Sequence, residues 1–147
     1  SDSGLTGGGR WAPVDPASYE STLMENVHVI GDSQFTTQPK SGHMANSQAK
    51  VCADAIIRKA MGVAETIHSA ERLSNLTTNS ACFSPITATE ASWLTAVFRY
   101  DTSIPAPEPA RRMKLVRESL GEARNWNSEN YQSMFSWSEN LFADTFM

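Results

Sequence analysis

The most informative segment of this 147-residue chain reads Asn26-Val-His-Val-Ile-Gly-Asp32. Its β-branched residues favour a strand, and the glycine and aspartate after them indicate a strand that delivers a carboxylate at its C-terminal tip. A glycine lets a ligand approach the backbone, and a carboxylate accepts hydrogen bonds from the hydroxyl groups of a ligand. We therefore treat Gly31 and Asp32 as candidate binding residues. The alternative is an aspartate in an ordinary strand-to-loop turn.

A helix is predicted directly after the turn Gln38-Pro-Lys-Ser-Gly42, with Ser41 as its N-cap and Gly62 as its stop. The positive end of this helix and its unpaired amides would face the tip of the preceding strand, which suits an anionic or electron-rich ligand. The residues that recur at helical spacing are Ala45, Gln48, Ala49, Cys52, Ala53, Ile56, Ile57 and Ala60.

Three polar residues around this helix have open roles. Lys40 provides a fixed cation beside the ligand, or it is a solvated lysine. Gln48 lies on the small-residue face, where satisfying a backbone group is the simple alternative to ligand binding. His43 is either a proton relay or, more commonly for such a position, a partly exposed histidine near a helix cap.

The rest of the chain predicts a second unit. Residues 62–81 are polar and lightly patterned, as in a crossover, and Leu94 to Tyr100 alternate as in a half-buried strand. The proline-rich residues 104–109 predict a stiff spacer. Two helices are predicted beyond it. The first carries Met113, Val116, Leu120 and Ala123, and the second carries an aromatic stripe of Tyr131, Met134, Phe135, Leu141, Phe142 and Phe146. This stripe is most simply core; alternatively it docks a partner subunit or a membrane surface.

Composition excludes several classes of protein. With 12 Lys and Arg against 16 Asp and Glu, the net charge is −4. The basic run Arg111 to Arg117 is predicted to be a solvated helix face. Nucleic-acid binding is therefore not expected. No apolar run approaches the roughly 20 residues that span a bilayer, so no membrane span is expected. The two cysteines and three histidines lack the spacing of a metal site, and none is indicated.

The two cysteines differ in setting. Cys52 lies among Ala49, Ala53 and Ile56, which predicts a small buried hydrophobic residue. Cys82 lies outside any periodic segment and next to Phe83, so a reactive thiol is an open alternative. From the residues alone, an inert thiol remains the simpler interpretation of Cys82.

Two consecutive segments resemble a known family. The run from Asn26 to Ser33, followed by Gln38-Pro-Lys-Ser-Gly-His-Met-Ala-Asn-Ser-Gln-Ala-Lys-Val-Cys-Ala53, closely resembles the flavoprotein subunit of flavocytochrome c sulfide dehydrogenase. Residues 11–21 also resemble that family. The similarity is looser at Ser80-Ala-Cys-Phe-Ser84, at Ala96-Val-Phe-Arg99 and in the tail from Trp137 to Phe146.

This resemblance implies an α/β chain that is the C-terminal part of an FAD-dependent oxidoreductase related to sulfide:quinone oxidoreductases. Residues 1–62 would end a Rossmann-like FAD-binding domain, and residues 63–147 would form a small α+β interface domain. Asp32 would hold the ribityl chain of FAD, and the helix dipole would stabilise the reduced flavin. The implied cofactor-binding residues are Gly31, Asp32, Pro39, Lys40, Ser41, Gly42 and Gln48.

The resemblance also implies the chemistry. Cys82 would lie where the family keeps one of two redox-active cysteines. Lys40 is the second candidate for a catalytic residue. Electrons would pass from sulfide through Cys82 and FAD to the haem of a c-type cytochrome subunit, in the periplasm. The dinucleotide-binding GxGxxG and the second redox cysteine are absent from these residues, so we expect an N-terminal half of the flavoprotein as a further partner and an inactive chain by itself.

Two departures from the family open alternatives. Ala12 stands where relatives often have cysteine, and the segment Ser84 to Ala91 replaces an expected glycine-containing stretch. One alternative is an enzyme of the same fold that oxidises another sulfur compound. The other is a non-catalytic interaction module that keeps the scaffold and has lost flavin chemistry.

Overall fold

The computed structural model describes residues 4–103 and 114–146, and over these ranges the chain is a mixed α/β protein with two three-stranded sheets and three α-helices. The α/β class predicted from the sequence is therefore confirmed in this coarse sense. The strands are β1 (Ala12–Asp15), β2 (Glu20–Ser21), β3 (Gln34–Phe35), β4 (Thr77–Pro85), β5 (Ala91–Tyr100) and β6 (Leu115–Glu122). The helices are α1 (Gly42–Ala60), α2 (Ala70–Asn75) and α3 (Ser128–Phe146), with short 3-10 turns at Gly31–Ser33 and Ala64–His68.

The first sheet has the order β2-β1-β3. Its central strand β1 pairs antiparallel with β2 and parallel with β3, where Ala12 lies opposite Gln34. The strand predicted over residues 26–30 is wrong, because His28 makes only an isolated bridge with Glu20. Asn26 and Gly31, at the two ends of this run, both have positive φ, so the chain turns before a ladder can extend. Gly31 and Asp32 consequently begin a 3-10 turn.

Helix α1 has the ends that the sequence predicts. The Ser41 hydroxyl accepts a hydrogen bond from the amide of Met44, which caps the N-terminus. At the other end Gly62 adopts φ +74°, and the amides of Gly62 and Val63 donate to the carbonyls of Lys59 and Arg58. This is a Schellman ending, which requires a left-handed residue and therefore favours glycine.

The second sheet is antiparallel with the order β4-β5-β6. Strand β5 confirms the strand predicted near Leu94 to Tyr100: Ala96, Phe98 and Tyr100 are buried as expected, whereas Leu94 is 45% exposed. The helix predicted over Met113 to Ala123 is wrong, because residues 115–122 form β6 along β5; Met113 itself lies outside the described residues, as does the predicted spacer at 104–109. In so short a run the spacing of a few apolar residues does not determine the element, and pairing with β5 does.

Residues 62–81 contain more structure than a crossover. They include the 3-10 turn at Ala64–His68, helix α2 and the beginning of β4. Cys82, which the sequence leaves outside any periodic segment, therefore lies within β4. The proposed boundary at residue 62 between two units remains a prediction.

The main core lies between the first sheet, α1, α2 and one end of the second sheet. Its buried members are Val14, Ala17, Tyr19, Cys52, Ala55, Ile67, Leu73, Leu76, Tyr100 and Leu115. Helix α3 is predicted correctly as a helix, but its aromatic stripe is not core: none of its described residues is buried, and Phe146 is 78% exposed. In the described part of the chain no helix has the length and apolar character needed to cross a membrane.

Candidate functional site

The N-terminus of α1 is exposed and lies at the centre of the candidate site. Pro39, Lys40 and Gly42 are exposed around the Ser41 cap. The cap accepts a hydrogen bond from the Met44 amide. The amides before Met44 have no intrahelical partner, as at the start of any helix. A Cβ added at Gly42 would meet no atom within 4 Å. This end of α1 therefore has the free donors and the open space that an external acceptor needs.

Gly31 and Asp32 lie beside this helix. The Gly31 amide donates to Oε1 of Gln48 on α1 at 2.7 Å, and a Cβ at Gly31 would lie 3.5 Å from that of Ala45. With φ +71°, this position favours glycine. Asp32 is exposed, and among the described residues none donates a hydrogen bond to its carboxylate. The carboxylate is free to accept hydrogen bonds from a ligand.

Gln48 is fully buried, so it cannot touch a ligand at the surface. Its amide holds the Gly31 backbone on one side and donates from Nε2 to Oε1 of Gln38 at 3.0 Å on the other. The simple alternative raised from the sequence, a glutamine that satisfies a backbone group, describes what Gln48 does. Any effect of Gln48 on a ligand is exerted through the position of Gly31.

Gln38 is the hub of this buried network and was not singled out from the sequence. Its Oε1 accepts hydrogen bonds from the hydroxyl of Tyr19 at 2.9 Å, from Thr36 and from Gln48, and its Nε2 donates to the hydroxyl of Thr78 on β4. Burial raises the pKa of Tyr19, which keeps its hydroxyl protonated and able to donate. The sequence signal was its place directly before Pro39, but its partners are distant along the chain.

Lys40 faces the first sheet. Its Nζ donates to the carbonyl of Gln34, and it lies 5.2 Å from the ring centroid of Trp11. Partial burial lowers the pKa of Lys40, and the nearby Asp32 carboxylate opposes this shift. The Lys40 side chain thus lies between Trp11 and the side of the site that carries Asp32.

Cys82 lies next to the α1 cap in space. The hydroxyls of Ser41 and Ser80 are 2.8 Å apart, and Ser80 Oγ is 3.8 Å from Cys82 Sγ. The Cys82 thiol is free and half-buried. Cys52 is also free but buried, as predicted, and burial raises the pKa of its thiol. The structure therefore brings one of the two cysteines to the candidate site and places the other in the core.

His43 and Ser47 of α1 bind the outer edge of β4, which the sequence did not predict. The Ala81 amide donates to Nδ1 of His43 at 3.0 Å, and the Asn79 amide donates to the hydroxyl of Ser47 at 3.1 Å. Two side chains of α1 thus accept hydrogen bonds from β4 amides that face away from β5. Because Ala81 precedes Cys82, these contacts also position the thiol.

Helix α3 closes one side of this region. The ring of Trp137 lies 6.2 Å from that of His43 and 5.4 Å from that of Phe83. Lys50 and Asp144 form an exposed ion pair at 2.6 Å between α1 and α3. A groove of about 420 Å³ runs between the two helices and is lined by Ile30, Gly42, Ala45, Asn46, Ala49, Lys50, Ala53, Asp144 and Thr145.

A larger groove, of about 590 Å³, lies on the far side of α1. Arg72 crosses it and donates to the carboxylate of Asp54 and to the carbonyls of Ala17, Ile67 and Val51. Arg58 bonds the same carboxylate, and the two arginines hold the pKa of Asp54 below its usual value. These side chains are held by one another and by backbone carbonyls, so we treat this groove as part of the scaffold.

Within the residues that the structure describes, no group of three or more His, Cys, Asp and Glu side chains is arranged to hold a metal ion. A scan against models of known protein families finds none that matches this chain.

Proposed function

We propose that this chain is the C-terminal part of an FAD-dependent oxidoreductase that resembles sulfide dehydrogenase and takes electrons from sulfide or a related sulfur compound. The observation that carries the proposal is the contact chain from Ser41 through Ser80 to Cys82. It joins the only half-buried thiol of the described residues to the exposed start of α1, the two features on which flavin-linked sulfur chemistry depends.

The residues at the start of α1 fit a flavin. The free carboxylate of Asp32 suits the hydroxyls of a ribityl chain, and the open space at Gly42 suits close approach of a planar ring. The helix start favours negative charge on that ring. FAD, when bound, supplies a two-electron acceptor that can return its electrons singly to a haem.

Other residues of the chain would hold these groups in position. Gln48 and Gln38 fix Gly31 against α1, and Lys40 supplies a cation next to Asp32. In the proposed resting state Cys82 forms a disulfide with a cysteine of the N-terminal half of the flavoprotein. Hydrosulfide would attack one sulfur, forming a persulfide on one cysteine and releasing the other as a thiolate.

The exposed apolar residues of α1 support the proposal that a partner covers this face of the helix. Ile56 and Ile57 are 45% and 56% exposed, although both belong to the apolar pattern of the helix. We assign this face to the N-terminal half of the flavoprotein, and we place a c-type cytochrome and the periplasm in the proposal by resemblance alone.

The test is the visible absorption spectrum of the chain purified with its native partners under non-denaturing conditions. We expect flavin bands with a second polypeptide, and bleaching of those bands by sulfide. Asp32→Ala should lower the flavin content of the complex, because it removes the acceptor for the ribityl hydroxyls. Ser33→Ala, a change at the adjacent exposed residue, should leave the flavin content unchanged.

A colourless complex with an unmodified Cys82 would overturn the catalytic proposal. Flavin bands that another sulfur compound bleaches, and sulfide does not, would replace sulfide as the substrate while the flavoenzyme stands. Equal flavin content in Asp32→Ala and Ser33→Ala would remove Asp32 from the site.

A second candidate, a non-catalytic interaction module, is favoured by the exposure of α3. Phe135 and Phe142 are 46% and 60% exposed on a helix whose charged side chains, Glu129, Glu139 and Asp144, are all acidic. Asp144 is paired with Lys50, whereas Glu139 lies near Phe135 and Phe142 at helical spacing, which suits a partner with an apolar and basic surface. The same purification separates the two candidates, because a module retains partners without flavin.

A further inference from the structure

The outer edge of β4 is held by two side chains that lie one turn apart on α1. Strand β4 is at the edge of its sheet, so alternate amides face away from β5. The amides of Asn79 and Ala81, two residues apart, bond to Ser47 and His43, four residues apart. Both separations are about 6–7 Å, so the helix and the strand match in spacing.

The two bonds differ in their chemistry. A serine hydroxyl can accept a hydrogen bond at any ordinary pH. The imidazole of His43 accepts at Nδ1 only while that nitrogen carries no proton, which places the ring proton of the neutral form on Nε2. In the protonated imidazolium both nitrogens are donors, so Nδ1–H would face the Ala81 N–H and the contact would become repulsive.

Two charged features of the surrounding elements face the His43 ring. They are Asp144 of α3, which is ion-paired with Lys50, and the positive start of α1. The neutral indole of Trp137 lies 6.2 Å from the imidazole, between ring centroids, and is tilted by 58° to it. Other titratable groups on these elements include the thiol of Cys82 on β4, Asp32 on the turn that contacts α1, and Glu129 and Glu139 on α3.

We propose that His43 is a positioning residue whose neutral imidazole holds the Cys82 segment of β4 against the first turn of α1, and that protonation of His43 releases this hold. Three links tie this part of β4 to the helix: the Ser41–Ser80 contact, the His43–Ala81 bond and the Ser47–Asn79 bond. Protonation of His43 removes the second and leaves the other two. The consequence for the reactivity of Cys82 rests on the proposed function, whereas the bond itself does not.

The test follows the backbone amides of the flavin-free chain by NMR while pH is lowered through the titration of the His43 ring. We expect the Ala81 amide proton to move upfield together with the His43 ring signals, while the Asn79 amide, bonded to Ser47, stays constant. In His43→Asn the side-chain oxygen takes the place of Nδ1 and cannot be protonated in this range. The Ala81 amide should therefore be retained in its bonded position and become insensitive to pH.

Hydrogen exchange gives the matched comparison. Relative to wild type at a pH where His43 is neutral, His43→Ala should raise exchange at Ala81 about five- to tenfold, and His43→Asn should restore most of the protection. Ser47→Ala should raise exchange at Asn79 instead.

An Ala81 amide that does not respond to the His43 titration would overturn the proposal, as would an equal response in His43→Asn. Because these measurements use no flavin, their failure leaves the proposed function standing, and loss of the flavin proposal leaves this one testable.

Discussion

The hydroxyls of Ser41 and Ser80 lie 2.8 Å apart, although 39 residues separate them along the chain. Ser41 also caps α1 through the Met44 amide, and Ser80 contacts the thiol of Cys82. One hydroxyl therefore serves both a local function, at the helix end, and a long-range one, at the thiol.

Substitution of Ser41 should separate these two functions. Ser41→Ala should lower the free energy of unfolding by about 1 kcal/mol and raise the rate at which iodoacetamide alkylates Cys82, because the Ser80 side of the thiol loses its anchor. The matched control is Ser69→Ala, which removes the cap of α2. The control should lose similar stability and leave Cys82 unchanged. Peptide mass spectrometry measures alkylation, with buried Cys52 as the internal reference; equal rates in the two variants would contradict the contact chain.

The buried network around Gln38 should be costly to disrupt. Gln38→Leu leaves the hydroxyl of buried Tyr19 and the amide of Gln48 without their acceptor, so we expect a loss of about 1–3 kcal/mol in urea unfolding. Gln132→Leu, on the exposed face of α3, should change stability by less than about 0.5 kcal/mol. Similar small effects in both variants would show that the network contributes little.

Gly121 of β6 should not tolerate a side chain. A Cβ at this position would lie 2.7 Å from the hydroxyl of Thr95 and 3.4 Å from the ring of Trp93. Gly121→Ala should therefore destabilise the chain by roughly 1–3 kcal/mol in thermal or urea unfolding. In a Thr95→Gly background the same change should cost much less, because the clashing hydroxyl is gone. An undiminished cost in that background would place the strain elsewhere.

Acid should weaken the ion pair between Lys59 of α1 and Glu20 of the first sheet. Burial by itself raises the pKa of Glu20, but hydrogen bonds from Lys59 and from the Asn26 amide outweigh it, so the pKa lies below its usual value. A carboxylate with a lowered pKa in the folded chain stabilises it above the pKa of the unfolded chain, and this contribution is lost as pH falls through the folded value. Unfolding free energy should thus decline as pH falls below about 4.5.

The variant Glu20→Gln isolates this contribution. It should be less stable than wild type near neutral pH by roughly 1 kcal/mol or less, and its stability should fall less steeply in acid. Glu139→Gln on α3 is the control and should follow the wild-type curve. Parallel acid curves for Glu20→Gln and wild type would assign the acid sensitivity to other carboxylates.

Local features of the sequence determined several elements of this protein. The Ser41 cap and the Gly62 ending set the limits of α1, since both act within a few residues of the helix end. The alternation in β5 and the helical spacing of α3 were also readable, because each element is long enough to show its period. The same local signals identified Gly31, Asp32 and the start of α1 as candidate binding residues.

Tertiary structure decided the rest, because the deciding partners are distant in sequence. Residues 115–122 pair with β5 instead of forming a helix, and α3 contacts β4 and β5 without burying any of its described residues. The hub role of Gln38 depends on Tyr19 and Thr78, and the setting of Cys82 depends on Ser41. Spacing along a chain predicts caps and periods, which form within one or two turns. Spacing does not show which hydroxyl, amide or strand edge from about 40 residues away makes a contact. The site is assembled by such contacts.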